Sequence, residues 1–166
     1  MADAKARKLL HVERDDVLDA LRTTIAAVAS LLIARVVRLP ETYWAAIATL
    51  IVMQSTLGAA WNVSKDRLIG TVLGAGTGAL LSAYVGPYVA AFAAGLFVLG
   101  IVCSALRIER PAYRYAGITL IIVLLIARTQ PAWIVALHRA LEISVGIAVG
   151  LAVTALWPEP APTAHQ

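Results

Sequence analysis

Six apolar runs, at about residues 21–38, 43–58, 68–85, 87–106, 114–128 and 132–157, take up most of this chain and leave little polar surface to face water. Of 166 residues, 60% are hydrophobic and only 14% are charged, and the mean hydropathy is +0.80, more apolar surface than a soluble domain of this size can hide in one core. The expected fold is an all-α membrane protein with six transmembrane helices. A hydrocarbon core about 30 Å thick takes about 20 residues, so the second and fifth runs are short and the sixth is long.

The stretch Arg67 to Leu80, RLIGTVLGAGTGAL, holds Gly70, Gly74, Gly76 and Gly78. Gly70, Gly74 and Gly78 are spaced by four, so they line one stripe of a helix that another backbone can approach closely. Arg67 opens the stripe. Seventy-two residues later the design recurs as Arg139-x-x-Glu142-x-x-x-Gly146-x-x-x-Gly150. The same ungapped slide of 72 lays Arg35 on Arg107, Arg38 on Arg110, Tyr43 on Tyr115 and Trp61 on Trp133. Each copy holds three spans, an odd number, so the second is upside down relative to the first. Two inverted three-helix repeats are therefore expected, as in many secondary transporters, whose sites lie near the midplane where the halves meet. The two short spans occupy matching places in the halves.

Residues 1–20 carry mixed charge, with Leu10, Val17 and Leu18 at helical spacing, and are expected to form an amphipathic cytoplasmic lead-in helix rather than a signal peptide. Residues 21–157 form the six-span domain, and the proline-rich tail 158–166 is expected to be disordered. With the amino terminus inside, ten Lys and Arg residues of the loops and ends fall on the cytoplasmic side against Arg35, Arg38 and Arg128 outside, which places both termini in the cytoplasm. The nine Trp and Tyr residues lie at run edges as an aromatic belt. The net charge of +4 comes from cations that flank apolar runs, so the lipid bilayer is the expected partner and nucleic acid is not.

Ionisable groups inside spans are costly, at least about 2.5–3.5 kcal/mol each on insertion scales, and normally face protein or water. His138, Arg139 and Glu142 can share one helical face, either as an internal ion pair or as part of a conduction path. Arg67 either snorkels to the cytoplasmic interface or lines a vestibule. Gln54 and Thr49 offer neutral hydrogen bonds to a permeating group or join helices. The candidate substrate path is thus Arg67, Arg139, Glu142, His138, Gln54 and Thr49, and the packing positions are Gly70, Gly74, Gly78, Gly146 and Gly150. No catalytic or phosphate-binding pattern appears, His11, His138 and His165 are too scattered for a metal, and neither an enzyme nor a cofactor is expected.

The segment ALRTTIAAVAS, then ETYWAAIATLIVMQSTLG, then Arg67-x-x-Gly70-Thr71-x-x-Gly74, resembles the fusaric acid resistance and aromatic acid exporter family. The closing Arg139-x-x-Glu142-x-x-x-Gly146 and Pro158 look like the same family's end of domain. The resemblance covers about residues 18–158. It implies a six-helix membrane domain related to exporters of aromatic carboxylates and, more distantly, to plant aluminium-activated malate transporters, which are anion channels. Larger members carry two such domains; here a homodimer in a bacterial inner membrane is expected to restore twelve spans. An ionised carboxylate needs cationic or donor groups in place of its hydration shell, and Arg67 and Arg139 are the residues placed to supply them. The alternative is a non-transporting scaffold whose glycines and arginines serve helix packing and oligomerisation.

Overall fold

A computed structural model describes residues 14–53, 56–126 and 130–157; most of the expected lead-in helix, Gln54 and the 158–166 tail lie outside them. The described residues form α1 (Arg14–Val36), α2 (Tyr43–Val52), α3 (Leu57–Tyr84), α4 (Val89–Ala105), α5 (Arg110–Leu125) and α6 (Ala132–Leu156), with no strand among them. The fold is all-α. Asp16–Val36 of α1 and Ala132–Leu156 of α6 are long and apolar enough to cross a membrane, while α2 and α4 are apolar but shorter.

The second and third apolar runs divide differently from the expected spans. α2 stops at Val52 after 10 residues, about 15 Å at the helical rise. α3 starts at Leu57, because Thr56 is extended and its side chain accepts a hydrogen bond from the Ala59 N–H at 3.2 Å, a helix N-cap. Lys65, Asp66 and Arg67 therefore belong to a helix of 28 residues, not to a connecting loop.

Side-chain size sorts by depth. The buried set is rich in alanine, with Ala26, Ala34, Ala45, Ala48, Ala60, Ala112 and Ala116 fully covered, while Leu32, Leu80, Phe97, Val98 and Ile101 are exposed. A water-soluble core has the reverse preference; small residues inside and large apolar ones outside suit helices that pack closely and face lipid.

α3 packs against α5, α6 packs against α2, and α3 and α6 pack against each other. A Cβ at Gly74 would strike the Ala116 carbonyl, and one at Gly70 the Ala112 carbonyl and the Ala116 N–H group. A Cβ at Gly146 would strike the Ala45 carbonyl and the Ala48 side chain, and one at Gly150 would sit 2.9 Å from Val52 Cγ1. Gly76, off the stripe, has open space around it. Gly74 thus meets Ala116 as Gly146 meets Ala45. The contacts pair positions 72 apart on α3 and α6 but 71 apart on α2 and α5, so the uninterrupted slide of 72 does not describe the packing, and Trp44 rather than Tyr43 answers to Tyr115.

α1 and α4 end alike. Arg38 (φ 60°) and Arg107 (φ 54°) take left-handed backbone; Arg38 N–H donates to Arg35 O and Leu39 N–H to Ala34 O, as Arg107 does to Ser104 and Ile108 to Cys103. This is the Schellman end, usually a glycine position. Because a left-handed non-glycine residue costs about 1–2 kcal/mol, Arg38→Gly and Arg107→Gly are each expected to raise the melting temperature in detergent, with an upper bound of about that size.

Candidate functional site

The buried face of α3 runs through Ala60, Ser64, Arg67, Gly70, Thr71, Gly74 and Gly78, so the arginine stands on the same stripe as the glycines. Gly70 lets α5 close until Tyr115 Cβ would lie 2.7 Å from a Cβ there, and this brings the Tyr115 ring under the Arg67 guanidinium, 5.2 Å from its carbon to the ring centroid. The other pair is built the same way. Gly146 admits α2, and Trp44 comes to lie under Arg139 at 4.2 Å. Both contacts are cation–π stacks, worth most where water is excluded. Arg67 is 4% exposed and Arg139 2%.

The two arginines differ in their counter-charge. Arg139 donates to Glu41 Oε2 at 2.7 Å and to Glu142 Oε2 at 3.3 Å. Glu142 Oε1 accepts the Glu41 backbone N–H at 2.9 Å, and Trp44 Nε1–H donates to Glu41 Oε2 at 3.0 Å. No carboxylate pairs with Arg67 among the described residues, and its Nε has no hydrogen-bond partner. The position that Glu142 holds three residues after Arg139 is Gly70 after Arg67, pressed against the Ala112 backbone, where no carboxylate fits.

Arg67 and Arg139 line one small void together with Trp44, Thr71, Tyr115, Thr119, Ile118, Ile122 and Ile143. Its volume is about 10 Å³, room for one water at most. Of the two expectations for Arg67, the side chain does not snorkel to an interface: it is 4% exposed. Both side chains turn inward to the same void, although the α3 glycines face α5 and the α6 glycines face α2.

Thr49 does not reach the void. Its hydroxyl lies 3.0 Å from both the Ala45 and the Gly146 carbonyl oxygens, so its proton serves to join α2 to α6. His138 forms no bond or ion pair with Arg139 or Glu142, and its Nδ1 has no partner. Glu142 is 1% exposed and tied to Arg139. Gln54 lies outside the described residues. Trp44 and Tyr115 are withdrawn from the expected aromatic belt into the site, whereas Trp61, Tyr84, Tyr88 and Trp133 are exposed.

Sequence reasoning missed Glu41 and Arg22. Glu41 lies between two apolar runs and reads as a loop residue; the signal was its place three residues before Trp44, which one turn of helix brings together. Arg22 reads as a flanking cation, yet it is 2% exposed and donates from Nη2 to Thr154 Oγ1 at 3.4 Å, fastening α1 to the far end of α6.

A family model described as fusaric acid resistance protein-like matches residues 26–153, from within α1 to near the end of α6. The chain belongs to this family. Membership marks it as a membrane protein with a general role in transport or efflux, and the family is one of transporters, not enzymes. Comparisons with curated proteins and with solved structures gave no match. The matched span contains every residue of the arginine void, from Trp44 to Ile143, so the site belongs to the family domain itself.

Proposed function

We propose that this protein is an inner-membrane transporter or channel for organic anions, exporting aromatic carboxylic acids, with the arginine void as its closed substrate site. One observation carries the reading: Arg67 is a buried guanidinium with an aromatic ring on one side, a void before it and no carboxylate bonded to it among the described residues. An unpaired charge in such surroundings is expensive to keep, and an arriving carboxylate would supply the missing partner. Tyr115 and Trp44 offer ring faces to an aromatic substrate. A scaffold would need the glycine contacts but has no use for a buried arginine with no carboxylate bonded to it.

The reciprocal contacts, α3 on α5 and α6 on α2 with α3 and α6 packed against each other, support an architecture of two inverted three-helix repeats that meet at the site. Alternating access then consists of one pair rocking against the other. Six spans, both termini in the cytoplasm and assembly as a homodimer complete the proposal. An interior-negative membrane drives a monoanion outward with about 2.3 kcal/mol per 100 mV, roughly a fortyfold concentration ratio, so export needs no nucleotide site.

Purified protein in liposomes is expected to carry benzoate when a potential is imposed, with inside-negative vesicles losing it faster than unpolarised ones. Folded, inserted protein that moves neither benzoate nor a dicarboxylate would overturn the assignment.

A further inference from the structure

We propose that Glu41 is a tethered counter-ion that competes with substrate: in the closed state it occupies Arg139, and an incoming carboxylate takes over that guanidinium as Glu41 withdraws. This rests on the transport reading above.

The charges around the void set the requirement. Arg67 and Arg139 bring two positive charges, and Glu41 and Glu142 bring two negative ones, so the closed site is neutral. A monoanion added to it would leave one negative charge in excess in surroundings with little water, which is unfavourable unless a carboxylate leaves or takes up a proton. The two carboxylates are not equally free to respond. Glu142 is on the same helix as Arg139, is 1% exposed and is held by the Glu41 N–H. Glu41 stands in the turn between α1 and α2, with its side chain 19% exposed, so it has both a route to water and a backbone that need not move a helix.

The geometry is that of a substrate mimic. Glu41 Oε2 sits where the Arg139 Nη2 donor, at 2.7 Å, and the Trp44 indole N–H, at 3.0 Å, converge, the position an oxygen of an aromatic carboxylate would take with its ring against Trp44. Glu41 meets Arg139 and Glu142 from α6 and Trp44 from α2; His138 stands next to Arg139 in the chain, and Arg35 and Arg38 at the end of α1 are exposed. Once displaced by a substrate anion, Glu41 faces a site with surplus negative charge and takes a proton from the aqueous side, its carboxylate becoming a neutral acid. Protons are therefore taken up on binding, and affinity rises as pH falls.

The test is benzoate flux through the full-length protein in liposomes, with KM measured between about pH 7.5 and about pH 5.5, where benzoate stays ionised as carboxylates of ordinary strength do. Wild-type KM is expected to fall across that range. Glu41→Gln is expected to have KM about tenfold lower at the upper pH, the value of one charged hydrogen bond, and a flat profile. Glu41→Asp, which keeps the charge, is expected to restore the slope. A wild-type KM that does not change with pH overturns the counter-ion role without recourse to any variant. So does a Glu41→Gln protein that loses maximal rate or yield while KM and its pH profile stay as in the wild type. In both cases transport itself stands. Absence of benzoate flux in the wild type at every pH overturns the counter-ion role together with the function it rests on.

Discussion

Arg67→Gln is expected to cut anion flux by at least about tenfold while leaving the melting temperature in detergent at or above that of the wild type. Arg139→Gln is expected to lower both together. The difference follows from the counter-charges. Arg67 has no carboxylate beside it, so its replacement removes a desolvated charge and leaves no buried charge unpaired, at the loss of the stack on Tyr115. Arg139 holds Glu41 and Glu142 together, and without it two carboxylates face each other with no cation between them. Removing one partner of a buried ionic cluster costs about 3–5 kcal/mol, a large part of the total for a protein of this size. Neutralising the acids along with Arg139, as Glu41→Gln and Glu142→Gln, is expected to return most of that stability without returning flux. Thermal melts of the purified variants beside liposome flux decide the matter: equal stability losses at the two arginines would mean that Arg67 has a structural partner in the working protein.

Gly74→Leu and Gly146→Leu are expected to prevent assembly of the fold, whereas Gly76→Leu is tolerated. The first Cβ at either stripe position meets a backbone carbonyl, Ala116 or Ala45, and a backbone cannot rotate out of the way as a side chain can. Overpacking against side chains costs about 1–3 kcal/mol; here α3 must leave α5, or α6 must leave α2, and the arginine stacks go with them. Gly78→Ala should be milder, since its nearest obstacle is the Val123 Cβ at 2.9 Å. Size-exclusion profiles of the purified variants read the result directly. Leucine accepted at Gly74 with a normal profile would show that α3 and α5 do not touch there.

The glycine stripes, the helical class and the pairing of Arg139 with Glu142 can all be read from spacing, because each depends on residues within one or two turns of one helix. What cannot be read locally is which helix meets which stripe. Nothing around Gly70 says that its neighbour is Ala112 on α5, so the convergence of Arg67 and Arg139 on one void, and Trp44 and Tyr115 under them, appears only with the tertiary arrangement. Glu41 was hidden for the same reason, its partner lying 98 residues away. The start of α3 was misplaced because Lys65, Asp66 and Arg67 look like a loop when hydropathy alone is weighed, while the cap that starts the helix is a single threonine. The slide of 72 departs by one residue from the contacts on α2 and α5, which pair positions 71 apart.

The void of about 10 Å³ between the arginines has a consequence for the membrane that holds the protein. A space with room for a single water cannot sustain a continuous file of hydrogen-bonded molecules. In the proposed transporter this void therefore passes no column of water until it widens.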